Sequence, residues 1–202
     1  MNNQNNENII IIGCPRSGKT TLANMLMKND SSYHNISLDS LTMAIKRTMP
    51  ETGIKENSKL KIISEKIVPF IANYLHCYKC DYPDKKYLIE GLQINPDHLM
   101  KESFFNDATV ICLGFPNAKI DEIFNNIRKE DEKLSFSYTK KMSDNELKER
   151  ISFYIRYSRF LQSKCNEYKI PFYETDKNRE QILKEIFKTL TKNFEINNEI
   201  EI

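Results

Sequence analysis

"IIIIGCPRSGKTT", Ile9 to Thr21, is the stretch that decides the fold. Four successive isoleucines, Ile9 to Ile12, read as a strand buried on both faces. Behind them Gly13, Cys14, Pro15, Arg16, Ser17, Gly18, Lys19 and Thr20 fit G-x-x-x-x-G-K-[ST] at every defined position, and Thr21 follows. The residue types have physical reasons. Gly13 and Gly18 let the backbone turn and approach a ligand closely. Successive N–H groups can then converge as an anion nest at the positive end of a helix. Lys19 supplies a mobile cation for phosphate groups, and the Thr20 hydroxyl can sit on a divalent cation. A strand before the motif and a helical pattern after it are the context in which such a loop cradles phosphate.

Working outward, strand-like and helix-like stretches alternate, which predicts an α/β chain with a parallel sheet. Asn8–Ile12 is the first strand, and Lys19 to Lys28 the first helix, with Leu22, Met25 and Leu26 on one face. "YHNISLD", Tyr33–Asp39, reads as a second strand ending on an acid, followed by a helix from Ser40. Apolar residues at three- and four-residue spacing predict a helix over about Lys59–Tyr78, kinked or divided by Pro69. "KYLIEG", Lys86–Gly91, is a third strand, again ending on an acid, and "ATVICLGF", Ala108–Phe115, a fourth. Helices follow near Ala118–Lys129 and over Ser143–Tyr168, the second opened by a capping box of Ser143 and Glu146. "IPFYET", Ile170–Thr175, is the fifth strand and Asn178–Leu190 the last helix. The charged segment 130–142 carries few apolar anchors and reads as a mobile lid loop. Segments 1–7 and 194–202 read as flexible tails of one domain spanning 1–202.

Composition adds bounds. The 202 residues suffice for one domain with a full core. A formal net charge of +2 calls for neither a nucleic acid nor an anionic membrane as partner. No apolar run approaches the roughly 20 residues of a membrane-spanning helix. The polar start "MNNQNNEN" lacks the basic and apolar regions of a signal peptide, so a cytoplasmic location is expected. The five cysteines are expected to be reduced thiols. "HCYKC", His76–Cys80, lacks the second ligand pair of a structural zinc site.

The loop is the Walker A motif, and the chain resembles P-loop NTPases over nearly its whole length. It lacks the D-x-x-G and N-K-x-D of GTPases, and "TDKN" at Thr175–Asn178 has the wrong order for the latter. Motor-type ATPases end the third strand on an Asp-Glu pair, whereas this one ends Glu90-Gly91. Three features match the small-molecule and nucleotide kinases of the adenylate-kinase-like and uridine-kinase-like kind. They are the N-terminal P-loop, Asp39 in "ISLDSL", and "YLIEG", which is similar to the strand of uridine, nicotinamide riboside and pantothenate kinases. The resemblance implies a three-layer sandwich whose five parallel strands run in the order 2-3-1-4-5, with helices on both faces and a lid. It also implies ATP as phosphoryl donor, Mg²⁺ as cofactor and a small-molecule substrate.

Site expectations follow. Gly13 to Thr21 would bind the nucleotide, with Lys19 catalytic and Thr20 on the metal. Asp39 has two readings: N-cap of the following helix, or the group that orients and deprotonates an acceptor hydroxyl. Glu90 is either a solvated strand end or an acid holding Mg²⁺ through water. A lid arginine should add positive charge to the transferring group; Arg128 ranks first and Arg150 second, ahead of Arg156 and Arg159. Arg16 can reach phosphate or a neighbouring loop. Gln93 and Asn95 either face the acceptor or serve their turn. The expected activity is transfer of the γ-phosphate to an acceptor hydroxyl. Alternatives are a nucleoside monophosphate kinase, an ATP-binding regulatory module and a nucleic-acid end kinase. The adenylate kinases' phosphate-clamping arginines are missing: Thr42 stands where one would fall, and "EGLQINP" lacks the other. Lys46 or Arg47 can supply that charge instead.

Overall fold

A computed structural model describes residues 8–133, 135 and 137–198. Its centre is a five-stranded parallel sheet of strand order β2-β3-β1-β4-β5: β1 is Asn8–Gly13, β2 Tyr33–Ser37, β3 Lys86–Gly91, β4 Ala108–Gly114 and β5 Phe172–Glu174. The helices are α1 (Lys19–Asn29), α2 (Leu38–Thr48), α3 (Leu60–Asp81), α4 (Pro96–Leu99), α5 (Ile120–Lys133), α6 (Asp144–Tyr168) and α7 (Arg179–Asn198). Three-residue to four-residue 3-10 turns lie at Pro50–Thr52, Ser103–Phe105 and Tyr138–Lys141.

The isoleucine quartet explains the layers. Side chains alternate across a strand. Ile9 and Ile11 join Leu22 and Leu26 of α1 and Leu183 and Ile186 of α7 in one core. Ile10 and Ile12 join Ile67 and Ile71 of α3 and Ile151 and Leu161 of α6 in the other. All four isoleucines are fully buried, and each contributes about 1.5–3 kcal/mol by leaving water. A strand with one wet face would alternate apolar with polar residues; this one does not because both faces are covered.

Sequence and structure differ at several boundaries. The α2 helix begins at Leu38, so β2 stops at Ser37 and Asp39 lies in the helix's first turn; Ser37, not Asp39, holds the N-cap position. The α3 helix runs through Pro69 without a break. Helix packing outweighs the single lost backbone bond, the one that Pro69 cannot donate to the Glu65 carbonyl. Ser143 and Glu146 form the expected capping box on α6. The α5 helix continues to Lys133 and a 3-10 turn follows, so much of 130–142 is ordered secondary structure instead of a plain loop. Asp131, Ser137 and Thr139 are buried there. The α7 helix carries the backbone to Asn198, into the segment expected to be a tail. Residues 1–7 and 199–202 lie outside the described residues. No helix among the described residues is long and apolar enough to cross a membrane.

Candidate phosphate-binding and transfer site

The loop between β1 and α1 owes its path to two glycines. A Cβ on Gly13 would stand 2.2 Å from the Leu113 carbonyl oxygen, so no larger residue fits against β4. Gly18 adopts a left-handed conformation, φ 99°, as the N-cap of α1, and no side chain caps the helix. The first N–H groups of any helix lack intrahelical acceptors. Those of Lys19, Thr20 and Thr21 therefore face the loop's mouth with the positive end of the helix dipole behind them. The sequence expects an anion cradle at this place.

Its lining is set by the Cys14 carbonyl. Lys19 Nζ donates to it at 2.9 Å, Ser17 Oγ at 2.8 Å and the Ser17 N–H at 3.3 Å. Lys19 is only 5% exposed, so its ammonium is held inside the loop's curve. The Cys14 thiol points the other way. It donates to the Tyr154 carbonyl at 3.2 Å and lies 3.1 Å from Ser158 Oγ, fastening the back of the loop to α6. Burial pushes this thiol up to about 11.

Thr20 and Glu90, the two residues expected near a metal, are brought together. Thr20 Oγ1 donates to Glu90 Oε1 at 3.3 Å. Glu90 is 3% exposed and its Oε2 has no protein partner. A buried carboxylate oxygen without a donor is costly. The unpaired oxygen beside a hydroxyl and an anion cradle suits a hard cation. Mg²⁺ commonly takes one or two protein oxygens and completes its shell with water and phosphate. Among the described residues no group of three or more His, Cys, Asp or Glu is arranged for a metal, Cys77 and Cys80 included.

Asp39 stands on the same edge. Its Oδ1 accepts from Gln93 Nε2 at 2.6 Å, which joins α2 to the loop after β3. Tyr157 of α6 holds that loop by donating to the Leu92 carbonyl at 3.1 Å. Asn95 has a different place: its side chain accepts from the Asp97 N–H and caps α4.

The arginines divide differently from the expected order. Arg128 donates to the carbonyls of Thr139 (3.0 Å) and Met142 (2.9 Å) and pairs with Asp144 (2.7 Å). Its guanidinium is committed to the returning chain. Arg150 is exposed and lines a shallow hollow with Met142, Glu146, Glu149 and Phe153. Arg159 donates to the Pro116 carbonyl and Arg156 to Ser152 Oγ. Arg16 turns toward α5 and the 3-10 turn, donating to Glu130, Asp131, Ser137 and Thr139. Arg179, which the sequence did not single out, donates to the Arg16 carbonyl at 3.1 Å and pairs with Glu130. A hollow of about 780 Å³ lies between α1, α5 and α7, with Arg16, Thr21, Phe115, Glu130, Asp176 and Arg179 among its lining residues. Only the start of α7 beside a charged β5 loop hinted at this wall in the sequence.

No protein-family model matches the sequence, and no curated protein does. Among solved structures, a gluconokinase from Sinorhizobium meliloti 1021 is similar at 13% identity and a TM-score of 0.55, over 98% of this chain and 99% of that one. A "putative kinase" from Chloroflexus aurantiacus J-10-fl aligns at 14% identity and a TM-score of 0.46, over 95% and 100%. Likeness at this identity is one of fold: over nearly its whole length this chain has the fold seen in that gluconokinase, built around a G-x-x-x-x-G-K-T loop.

Proposed function

We propose that the protein is an ATP- and Mg²⁺-dependent phosphotransferase that moves the γ-phosphate to a hydroxyl of a small molecule. The observation that carries the reading is the buried Glu90 carboxylate, reached by Thr20 and left with one unpaired oxygen at the mouth of the phosphate loop. The gluconokinase fold supports it, and the hollow of about 780 Å³ beside the loop has the size of a nucleotide pocket.

In this reading the N–H groups at the start of α1 bind the phosphates, and Lys19 leaves the Cys14 carbonyl for the β- and γ-oxygens. Thr20 and Glu90 hold Mg²⁺, directly or through water. When bound, Mg²⁺ neutralises charge on the transferring group. Asp39, steadied by Gln93, orients the acceptor hydroxyl and takes its proton. Rate then comes mainly from positioning and charge stabilisation.

The acceptor is best read as a hydroxyl compound without a phosphate of its own. Thr42, where a phosphate-clamping arginine would fall, is buried, and Gln93 brings a neutral amide to the acceptor side. Lys46 faces Glu56 at 3.7 Å. A dianion bound there without a strong cationic partner would be costly.

The test is ADP release from MgATP with the purified protein and a metabolite library, monophosphates assayed beside their dephosphorylated counterparts. Turnover of a neutral hydroxyl compound supports the reading. Efficient turnover of AMP, CMP, UMP or GMP, lost in Arg47→Ala, would make it a monophosphate kinase. ATP hydrolysis that no acceptor stimulates would make it a regulatory module.

A further inference from the structure

We propose that Arg16 is a positioning residue: it ties the phosphate loop to segment 137–144, so that the shape of the loop and the placement of that segment are set together. Sequence position leaves it two partners, a phosphate or a neighbouring loop. The structure gives its guanidinium protein partners. Nη2 shares its two hydrogens among Asp131 Oδ1 (3.0 Å), Ser137 Oγ (2.9 Å) and Thr139 Oγ1 (2.7 Å), and Nη1 donates to Glu130 Oε2 (3.3 Å). The remaining nitrogen, Nε, is buried and has no hydrogen-bond partner. Both terminal nitrogens thus face the end of α5 and the 3-10 turn, where a phosphate would compete for them with four existing acceptors.

The partners form a closed polar cluster. Asp131 is 3% exposed and Thr139 fully buried. Thr139 Oγ1 lies 2.8 and 2.6 Å from the two Asp131 oxygens, and 2.7 Å from Ser137 Oγ. Such a cluster rigidifies what it joins, because each buried member loses its partner if one element moves. The elements joined lie far apart in sequence: the phosphate loop, the end of α5 and the 3-10 turn. From the other side, Arg128 holds the same segment by the Thr139 and Met142 carbonyls.

The backbone points the same way. Arg16 has φ 67°, a left-handed conformation uncommon for a residue with a side chain. Arg179 donates to its carbonyl. Clamped at the carbonyl and at the guanidinium, Arg16 keeps a local conformation that would otherwise be disfavoured. A lysine keeps the charge but loses the planar fork, so Arg16→Lys should loosen the junction.

The proposed consequence for phosphate transfer rests on the kinase reading; the main test does not. Amide hydrogen exchange is measured by mass spectrometry on the nucleotide-free full chain, comparing the native protein with Arg16→Lys and with Thr139→Val. In both variants exchange should rise about tenfold in residues 14–21 as well as in 137–144. Faster exchange confined to 137–144, or none in either segment, would overturn the proposal. Should Thr139→Val fail to fold, Arg16→Lys carries the test alone.

A second measurement separates positioning from ligation. With MgATP, Thr139→Val should lower kcat about tenfold while the nucleotide Kd stays within about threefold, since no transition-state contact is removed directly. Arg16→Lys with weakened nucleotide binding and unchanged exchange in 137–144 would make Arg16 a phosphate ligand and refute the proposal. If no acceptor supports turnover, the kinase reading falls while the exchange result still decides the role of Arg16.

Discussion

Thr20 and Glu90 meet across 3.3 Å, hydroxyl donating to carboxylate, and so join the first turn of α1 to the end of β3. Ser37, at the end of β2, is in register with Glu90, which brings α2 and Asp39 to the same edge. Parallel sheets bind ligands at their carboxyl edge, because every strand there hands its chain to a helix. Here that edge gathers a hydroxyl, two carboxylates and the uncapped start of a helix.

Glu90→Gln keeps the side chain's shape and still accepts from Thr20, but removes the charge. The Mg²⁺ concentration needed for half-maximal turnover should rise about 10–100-fold. An unaltered Mg²⁺ titration would take Glu90 out of the metal site.

Lys19→Ala should cost about 10²–10³ in turnover, the scale of removing one preorganised charge-stabilising donor. Lys19 is buried, so circular dichroism and thermal melting must first show a folded variant. Native turnover in that folded protein would end the phosphate-loop assignment.

Asp39→Asn can still accept from Gln93 Nε2 but cannot take a proton. It should lower kcat about 10²–10⁴-fold, with ATP affinity nearly unchanged. A steady-state comparison of kcat with nucleotide Kd decides. Unchanged kcat would leave Asp39 as a first-turn acid that favours the helix dipole.

Acid should release the Asp131 cluster. Burial alone would raise this carboxyl, but hydrogen bonds from Thr139, Ser137 and Arg16 and the arginine's charge together hold it below its ordinary 3.8. A carboxylate lowered by folding stabilises fully above its unfolded pKa, and that stability is lost as pH falls through the folded value. The native protein's advantage in Tm over Asp131→Asn should be constant near pH 5 and shrink below about pH 4. A gap that stays constant down to about pH 3 would remove the ionised Asp131 as its cause.

Thiol reactivity should split two to three. Cys77 and Cys80 are exposed on α3, while Cys14, Cys112 and Cys165 are buried. Burial also raises the Cys14 thiol, which leaves little thiolate at neutral pH. Iodoacetamide with peptide mapping should modify Cys77 and Cys80 first. Early labelling of Cys14 would mean that the loop opens away from α6.

Much of this molecule is written locally. Ile9–Ile12 names a central strand because a run without polar alternation can only be covered on both faces. The motif through Thr20 names a tight turn into a helix because glycines and a helix start need no distant partner to bend that way. "SDNE" names the α6 start for the same reason, since Ser143 and Glu146 satisfy each other within one turn. The Asp39 boundary was blurred because an acid near a strand end suits both an N-cap and a first helical turn, and only α2 packing placed the helix start at Leu38.

Tertiary structure alone decided what depends on contacts between distant segments. Thr20 and Glu90 are 70 residues apart, and Asp39 and Gln93 are 54 apart; no spacing rule predicts either pair. The sequence left Arg16 between a phosphate and a neighbouring loop, and its guanidinium finds Asp131 and Thr139 more than a hundred residues later. Segment 130–142 looks loose because it lacks apolar anchors; within it Arg16 and Arg128 hold Ser137 and Thr139. Hydrophobic periodicity reports which face of an element is covered. It cannot report which buried polar groups satisfy one another, since that depends on where the sheet delivers each strand end.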